Sequence, residues 1–179
     1  MAIREAPLRS TKYGHVPDGE GWFVLNARES RWRDYGPLGA ACNFEGKRPF
    51  KQLGVNLNVL EPGEPMSMYH RENNQEGFLE LAGECVLIVE GETRPLRTWG
   101  LLPLPGRDGA RDRRRRRRAG GRAGRRRAGG RKGIVYEVAA AALKYGAGVD
   151  RKTTESAEAY ARFPVSSRSH YRESWLPDR

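Results

Sequence analysis

Long apolar runs are missing from this 179-residue chain. Nowhere do 18 or more apolar residues follow one another, which excludes a membrane-spanning helix. The opening MAIREAPLRSTKYG lacks the apolar stretch of a secretory signal, so the expected location is cytoplasmic. Cysteine is scarce. Two residues, Cys42 and Cys85, cannot make a disulfide framework and are expected as buried or half-buried thiols in a reducing compartment. No internal repeat of 20–50 residues is present, so a solenoid is excluded. Of the three histidines, His15 and His170 stand in polar terminal stretches and are expected to be exposed, which leaves His70.

Positive charge, by contrast, is abundant, with a formal net charge of +11. Its distribution matters more than its size. Residues 100–132 hold thirteen Arg and one Lys against Asp108 and Asp112, so the rest of the chain is left at −1. A nearly neutral globular domain is therefore interrupted by one basic segment.

The neutral part reads as β structure. Residues 21–27 (GWFVLNA) are expected as an opening strand, after an N-terminal extension over 1–20. In residues 53–60, Leu53, Val55, Leu57 and Val59 share one face and Gly54, Asn56 and Asn58 the other, the period of a half-buried strand. A turn follows at Glu61–Pro65, then strands at Glu76–Leu81, Cys85–Val89 and Thr93–Trp99, the last two joined at Glu90-Gly91-Glu92. Residues 133–138 (GIVYEV) resume as a strand. Two helices are expected beyond it, at Ala139–Tyr145 before Gly146 and at Thr154–Arg162 with Thr154 or Ser156 as N-cap. Many short strands with Gly/Pro turns indicate an all-β barrel or sandwich over 21–138, with a helical and extended tail over 139–179.

The basic segment, GLLPLPGRDGARDRRRRRRAGGRAGRRRAGGR at 100–131, interrupts a β pattern that is sound on both sides. It contains no Lys or Ser, and Arg, Gly, Ala and Pro are what GC-rich codons yield when read out of frame. One inserted base after Trp99, compensated near Gly130, permits the reading Asp-Phe-Phe-His-Cys-Pro-Ala-Gly-Thr-Glu-His-Val-Ile-Val, followed by a Gly/Ala/Val/Asp-rich strand and turn. A compensated frameshift is thus the expected origin. Regular structure is expected to fail over 103–130, because Arg side chains there cannot point into a core without partners. The competing reading is a basic arm that binds nucleic acid or another polyanion non-specifically through Arg113–Arg118.

Between Gly63 and Gly83 lies the motif that carries chemistry: His70-Arg71-Glu72, then Glu76, six residues, then Gly83. It resembles the first motif of the cupins, in which a Gly precedes His-x-His, a Glu follows, and a Gly stands seven positions after the Glu. The first His and the Glu-to-Gly spacing match. Glu72 stands in place of the second His, and one extra residue follows Gly63. The second cupin motif, Pro-x-Gly-x-x-His, exists only in the restored frame; the printed chain has Ala110 where its histidine would be.

The resemblance covers residues 50–138 and is to a small single-domain bacterial cupin. It implies an all-β, cupin-type double-stranded β-helix (jelly-roll) barrel, with one or two strands lost in 100–131. It implies a divalent metal (Fe, Mn, Zn, Ni or Cu) held by His70, Glu72, Glu76 and the lost histidine, with Gln75 as an alternative ligand. Imidazole and carboxylate donors on adjacent barrel strands suit such ions and leave coordination positions open. The site in the printed chain, one ligand short, is expected to bind weakly. Oxygenase- or isomerase-type chemistry on a small molecule is the implied activity. A non-catalytic cupin that binds a small ligand without metal is the alternative, and Glu72 in the second His position favours it. A homodimer through outer strands is compatible with either. Cys85 is expected to be structural, and Tyr69 and Phe78 to line the barrel. Sequencing the gene across codons 99–132 is expected to reveal the inserted base and its compensation; an arginine tract confirmed in the native protein rules the frameshift out.

Overall fold

Antiparallel pairing of short strands accounts for most of the regular structure. The computed structural model describes residues 3–50, 53–105 and 133–177. The chain divides into two compact units, Met1–Ser67 with Ala161–Arg179, and Met68–Tyr160.

In the first unit, the hairpin β1 (Leu8–Thr11) and β2 (Gly14–Pro17) pairs in register from Leu8↔Pro17 to Thr11↔Gly14. The stretch expected as an extension therefore carries strands. Beside it is a four-stranded antiparallel sheet in the order β12 (Ser167–Ser169), β3 (Trp32–Asp34), β4 (Ala40–Cys42), β5 (Leu57–Val59). Alternation along β3 turns Trp32 inward, where it is 1% exposed, with Ala40 and Cys42 as its buried neighbours. Tyr171 and Trp175 close over this cluster, with Trp175 4.9 Å from Trp32 between ring centres. The Trp32 indole N–H donates to Ala27 O at 2.8 Å, so the large side chain buries no unpaired donor.

Two sequence expectations shrink here. The strand at 53–60 is reduced to Leu57–Val59, because its partner β4 offers only three residues to pair with; Leu53 and Val55 are left exposed. The strand at 21–27 is replaced by a single parallel bridge from Trp22 to Glu5, with Trp22 and Val24 exposed. Apolar content alone does not make a strand where no partner backbone lies alongside.

In the second unit the pairings are nested. β8 (Glu84–Val89) and β9 (Glu92–Arg97) form the inner hairpin, in register from Val89↔Glu92 to Glu84↔Arg97. Its two-residue turn has both Glu90 (φ 51°) and Gly91 (φ 81°) left-handed, the primed turn whose twist suits a hairpin. Outside it, β7 (Glu76–Leu79) pairs with β10 (Leu101–Leu104). Outside that, β6 (His70–Arg71) pairs with β11 (Val135–Tyr136). No closed barrel is formed among the described residues.

β10 continues through Pro103 and Leu104, where regular structure was expected to have ended. Leu102 and Leu104 turn inward opposite Phe78 and Glu76, and Pro103 faces outward, where an edge strand tolerates it. The expectations for 106–130, including any strand through Arg113–Arg118, fall outside the described residues.

Helix α1 (Ala140–Lys144) ends before Gly146, as expected. The second helix, α2 (Ser156–Ala159), is much shorter than Thr154–Arg162. Neither Thr154 nor Ser156 caps it. Glu155 occupies that position without a side-chain cap, and its N–H is taken by Thr153 Oγ1 at 3.1 Å.

Trp32→Ala removes the centre of the first unit's core. Chemical denaturation is expected to show a loss of about 3–5 kcal/mol, the range for a buried Trp-to-Ala change.

Candidate functional site

Each expected site residue lies in or between β6 and β7. His70 is half-buried at the start of β6, directly opposite Tyr136 on β11. Its ring lies 5.8 Å from that of Tyr136, and Nδ1 is 2.7 Å from Met68 O. A carbonyl can only accept, so Nδ1 is the donor in this contact and Nε2 is the ring nitrogen left to face a ligand. A metal-binding histidine is commonly fixed in this way, one nitrogen donating to a backbone carbonyl while the other is left for the ligand.

The residues around His70 are aromatic and ordered by hydrogen bonds. Tyr136 is 3% exposed, donates to Ser156 Oγ at 3.1 Å and meets Tyr160 edge-on at 5.9 Å. The Tyr160 hydroxyl accepts from Met68 N–H at 3.2 Å, and Tyr69 N–H donates to Ala147 O at 2.7 Å. The backbone at Met68–Tyr69 is thereby held from two sides. Sequence reasoning found His70 and missed Tyr136 and Tyr160. The only available signal was Tyr136 in the alternating GIVYEV stretch; Tyr160 stands where a longer helix was expected.

Glu76 opens β7 and points to the same side as Phe78, facing Leu104 across the strand pair. Burial on this largely apolar face pushes its carboxyl above the usual range; the negative Glu72 adds to the rise, and His70 opposes it. His70, Glu72 and Glu76 are therefore electrostatic neighbours. Glu72 is half-buried, whereas Gln75 is exposed with Asn73 and Asn74 in the link between the strands. Gly83, the last residue of the motif, is left-handed (φ 81°), and its carbonyl accepts from Thr98 N–H at 3.0 Å and Thr98 Oγ1 at 2.8 Å. Its role is to start the inner hairpin.

The donor types suit a divalent cation: one imidazole nitrogen and two carboxylates. Among the described residues, however, no three His, Cys, Asp or Glu side chains form a group that could hold a metal ion. Burial and then a hydrogen bond with Glu80 push the Cys85 thiol up to about 11. Tyr69 and Phe78 are half-buried, His170 is exposed, and His15, expected to be exposed, is half-buried in β2.

No protein-family model matches the chain, and no curated protein or solved structure matches it.

A carboxyl whose folded-state pKa is raised holds its proton more tightly when folded. Its contribution to stability is therefore lost as the pH rises from the ordinary carboxylate value through the raised one. Glu76→Gln removes this dependence. The variant is expected to be more stable than the parent at pH 7 and to lose that advantage below the ordinary carboxylate range, as read by thermal unfolding across pH. An equal effect at every pH contradicts the assignment.

Proposed function

We propose that the chain derives from a cupin-type jelly roll that binds a small molecule, and that its intact form holds a divalent metal through His70, Glu72, Glu76 and a histidine encoded out of frame after Trp99. One observation carries this reading: β10 ends opposite Glu76 (Leu104↔Glu76), and β11 begins opposite Arg71 (Val135↔Arg71) and pairs its second residue with His70 (Tyr136↔His70). The basic segment thus leaves the fold next to one candidate ligand and returns next to another. A ligand encoded within it would enter the chain between these two points. The nesting of β6–β11 around β7–β10 around β8–β9 also supports the reading, because a jelly roll is a long antiparallel ribbon rolled up on itself.

A bound divalent ion would act as a Lewis acid or redox centre for oxygenase- or isomerase-type chemistry. The chain's own residues do the positioning. Met68 O fixes the His70 ring, Tyr136 packs beside it, and the inward face of β7 and β10 keeps Glu76 partly away from water. The second reading, a small-ligand module without metal, is favoured by the missing three-residue metal group among the described residues and by Glu72 in the second His position.

Metal analysis of the frame-restored protein separates the two. One equivalent of divalent metal is expected, reduced at least about tenfold in affinity by His70→Ala, as removal of a direct ligand should exceed the loss from removing an outer partner. The printed chain is expected to hold metal weakly. A folded, frame-restored protein without metal favours the binding module.

A further inference from the structure

The outward face of the four-stranded sheet carries an arrangement unrelated to the His70 region. Across one row of this sheet the register is Arg168↔Arg33, Arg33↔Ala41, Ala41↔Asn58. Arg33 and Arg168 therefore project side by side from neighbouring strands, and both are exposed. Like charges directly opposite on paired strands destabilise a sheet. Arg31, two residues before Arg33, lies on the same side of the chain, and its backbone N–H is tied to His15 O at 3.1 Å. Burial and then the charges of Arg168, Arg33 and Arg9 lower the Arg31 pKa, so all four guanidinium groups lie in one electrostatic neighbourhood.

The balancing carboxylates are engaged elsewhere. Asp18 lies 3.5 Å from Arg9, Asp34 sits on the opposite face and accepts from Arg172 at 3.0 Å, and Glu45 accepts the Phe50 N–H at 2.9 Å. Arg9 is thus paired with a carboxylate, whereas Arg31 and Arg33 find only neutral partners. Arg31 donates to Glu45 O at 3.2 Å and Arg33 to Ser166 Oγ at 2.9 Å, while Arg168 has no hydrogen-bond or ion-pair partner among the described residues. Ala41 and Asn58, next in the row, continue it with small and uncharged side chains.

We propose that Arg31, Arg33 and Arg168 form an anion site for a phosphate group, as inorganic phosphate or the phosphate monoester of a small molecule. A cross-strand arginine pair with a third arginine beside it, and no carboxylate between them, matches the several donors and the charge that a tetrahedral dianion requires. Guanidinium groups bind phosphate in a bidentate fork that lysine cannot reproduce. The bound dianion would also remove the repulsion between Arg33 and Arg168 that the free sheet tolerates.

Inorganic phosphate is the probe, used with the full chain. The thermal midpoint is expected to rise with phosphate and not with chloride at equal ionic strength. In Arg33→Gln/Arg168→Gln the ligand-free midpoint should be unchanged or higher and phosphate binding lost, at about tenfold in Kd per arginine removed. Arg168→Gln alone breaks no side-chain hydrogen bond among the described residues, and it should still weaken binding about tenfold if the double variant folds poorly. Arg114→Gln/Arg115→Gln, in the basic tract, is expected to keep the phosphate response. The proposal is overturned if the response survives Arg168→Gln unchanged, if chloride reproduces it, or if it follows the tract variant instead.

Discussion

The second unit depends on one constraint: the chain must come back. β6 has no partner until β11 arrives from the far side of the basic segment, and β7 has none until β10 follows the inner hairpin. Loop-closure entropy grows only logarithmically with length, so a long excursion between β10 and β11 adds little to the cost of the outermost pairing. That pairing orients His70 against Tyr136, and Tyr136 N–H in turn donates to Thr153 O while its own carbonyl accepts from Thr153 N–H. The candidate site is thus assembled by strands at the two ends of the unit.

The first unit follows a different logic. Its sheet is held by Trp32, which fills the space under Ala40 and Cys42 and is covered by residues from the chain's last stretch, Tyr171 and Trp175. Arg28 ties that stretch down through hydrogen bonds to the Tyr171 hydroxyl and to Pro177 O, with its guanidinium also over the Tyr171 ring. Once Trp32 must point inward, Arg31 and Arg33 must point outward. The exposed arginine row is therefore a consequence of core packing and strand alternation together.

Legibility differed sharply between the units. The hairpin at Glu90-Gly91 could be read from the sequence because local turn chemistry and flanking apolar runs agree, and Glu76 was found through its spacing to Gly83. In contrast, the hairpin at Leu8–Pro17 was read as an extension: LRST and GHVP are too polar and too short to signal strands, and they pair because each other's backbone is adjacent. The strand at Ser167–Ser169 was hidden in polar text for the same reason. Its placement beside β3 gives Arg33 its cross-strand neighbour, a contact between residues far apart in the sequence.

By itself, the sequence determined what local pattern can determine: a β-rich chain of short strands, the tight turn between β8 and β9, a helix stopped before Gly146, and a His/Glu motif ahead of an anomalous basic segment. Those features follow from side-chain period and turn chemistry, which act over a few residues. Only the tertiary structure decided that His70 faces Tyr136, that Glu76 is pushed toward its neutral form on an apolar strand face beside Glu72, and that Arg33 and Arg168 stand together. The reason is physical. Register, burial and charge proximity are set by which strands hydrogen-bond across the fold, and no local period encodes a partner that lies tens of residues away, or, for Arg33 and Arg168, more than a hundred.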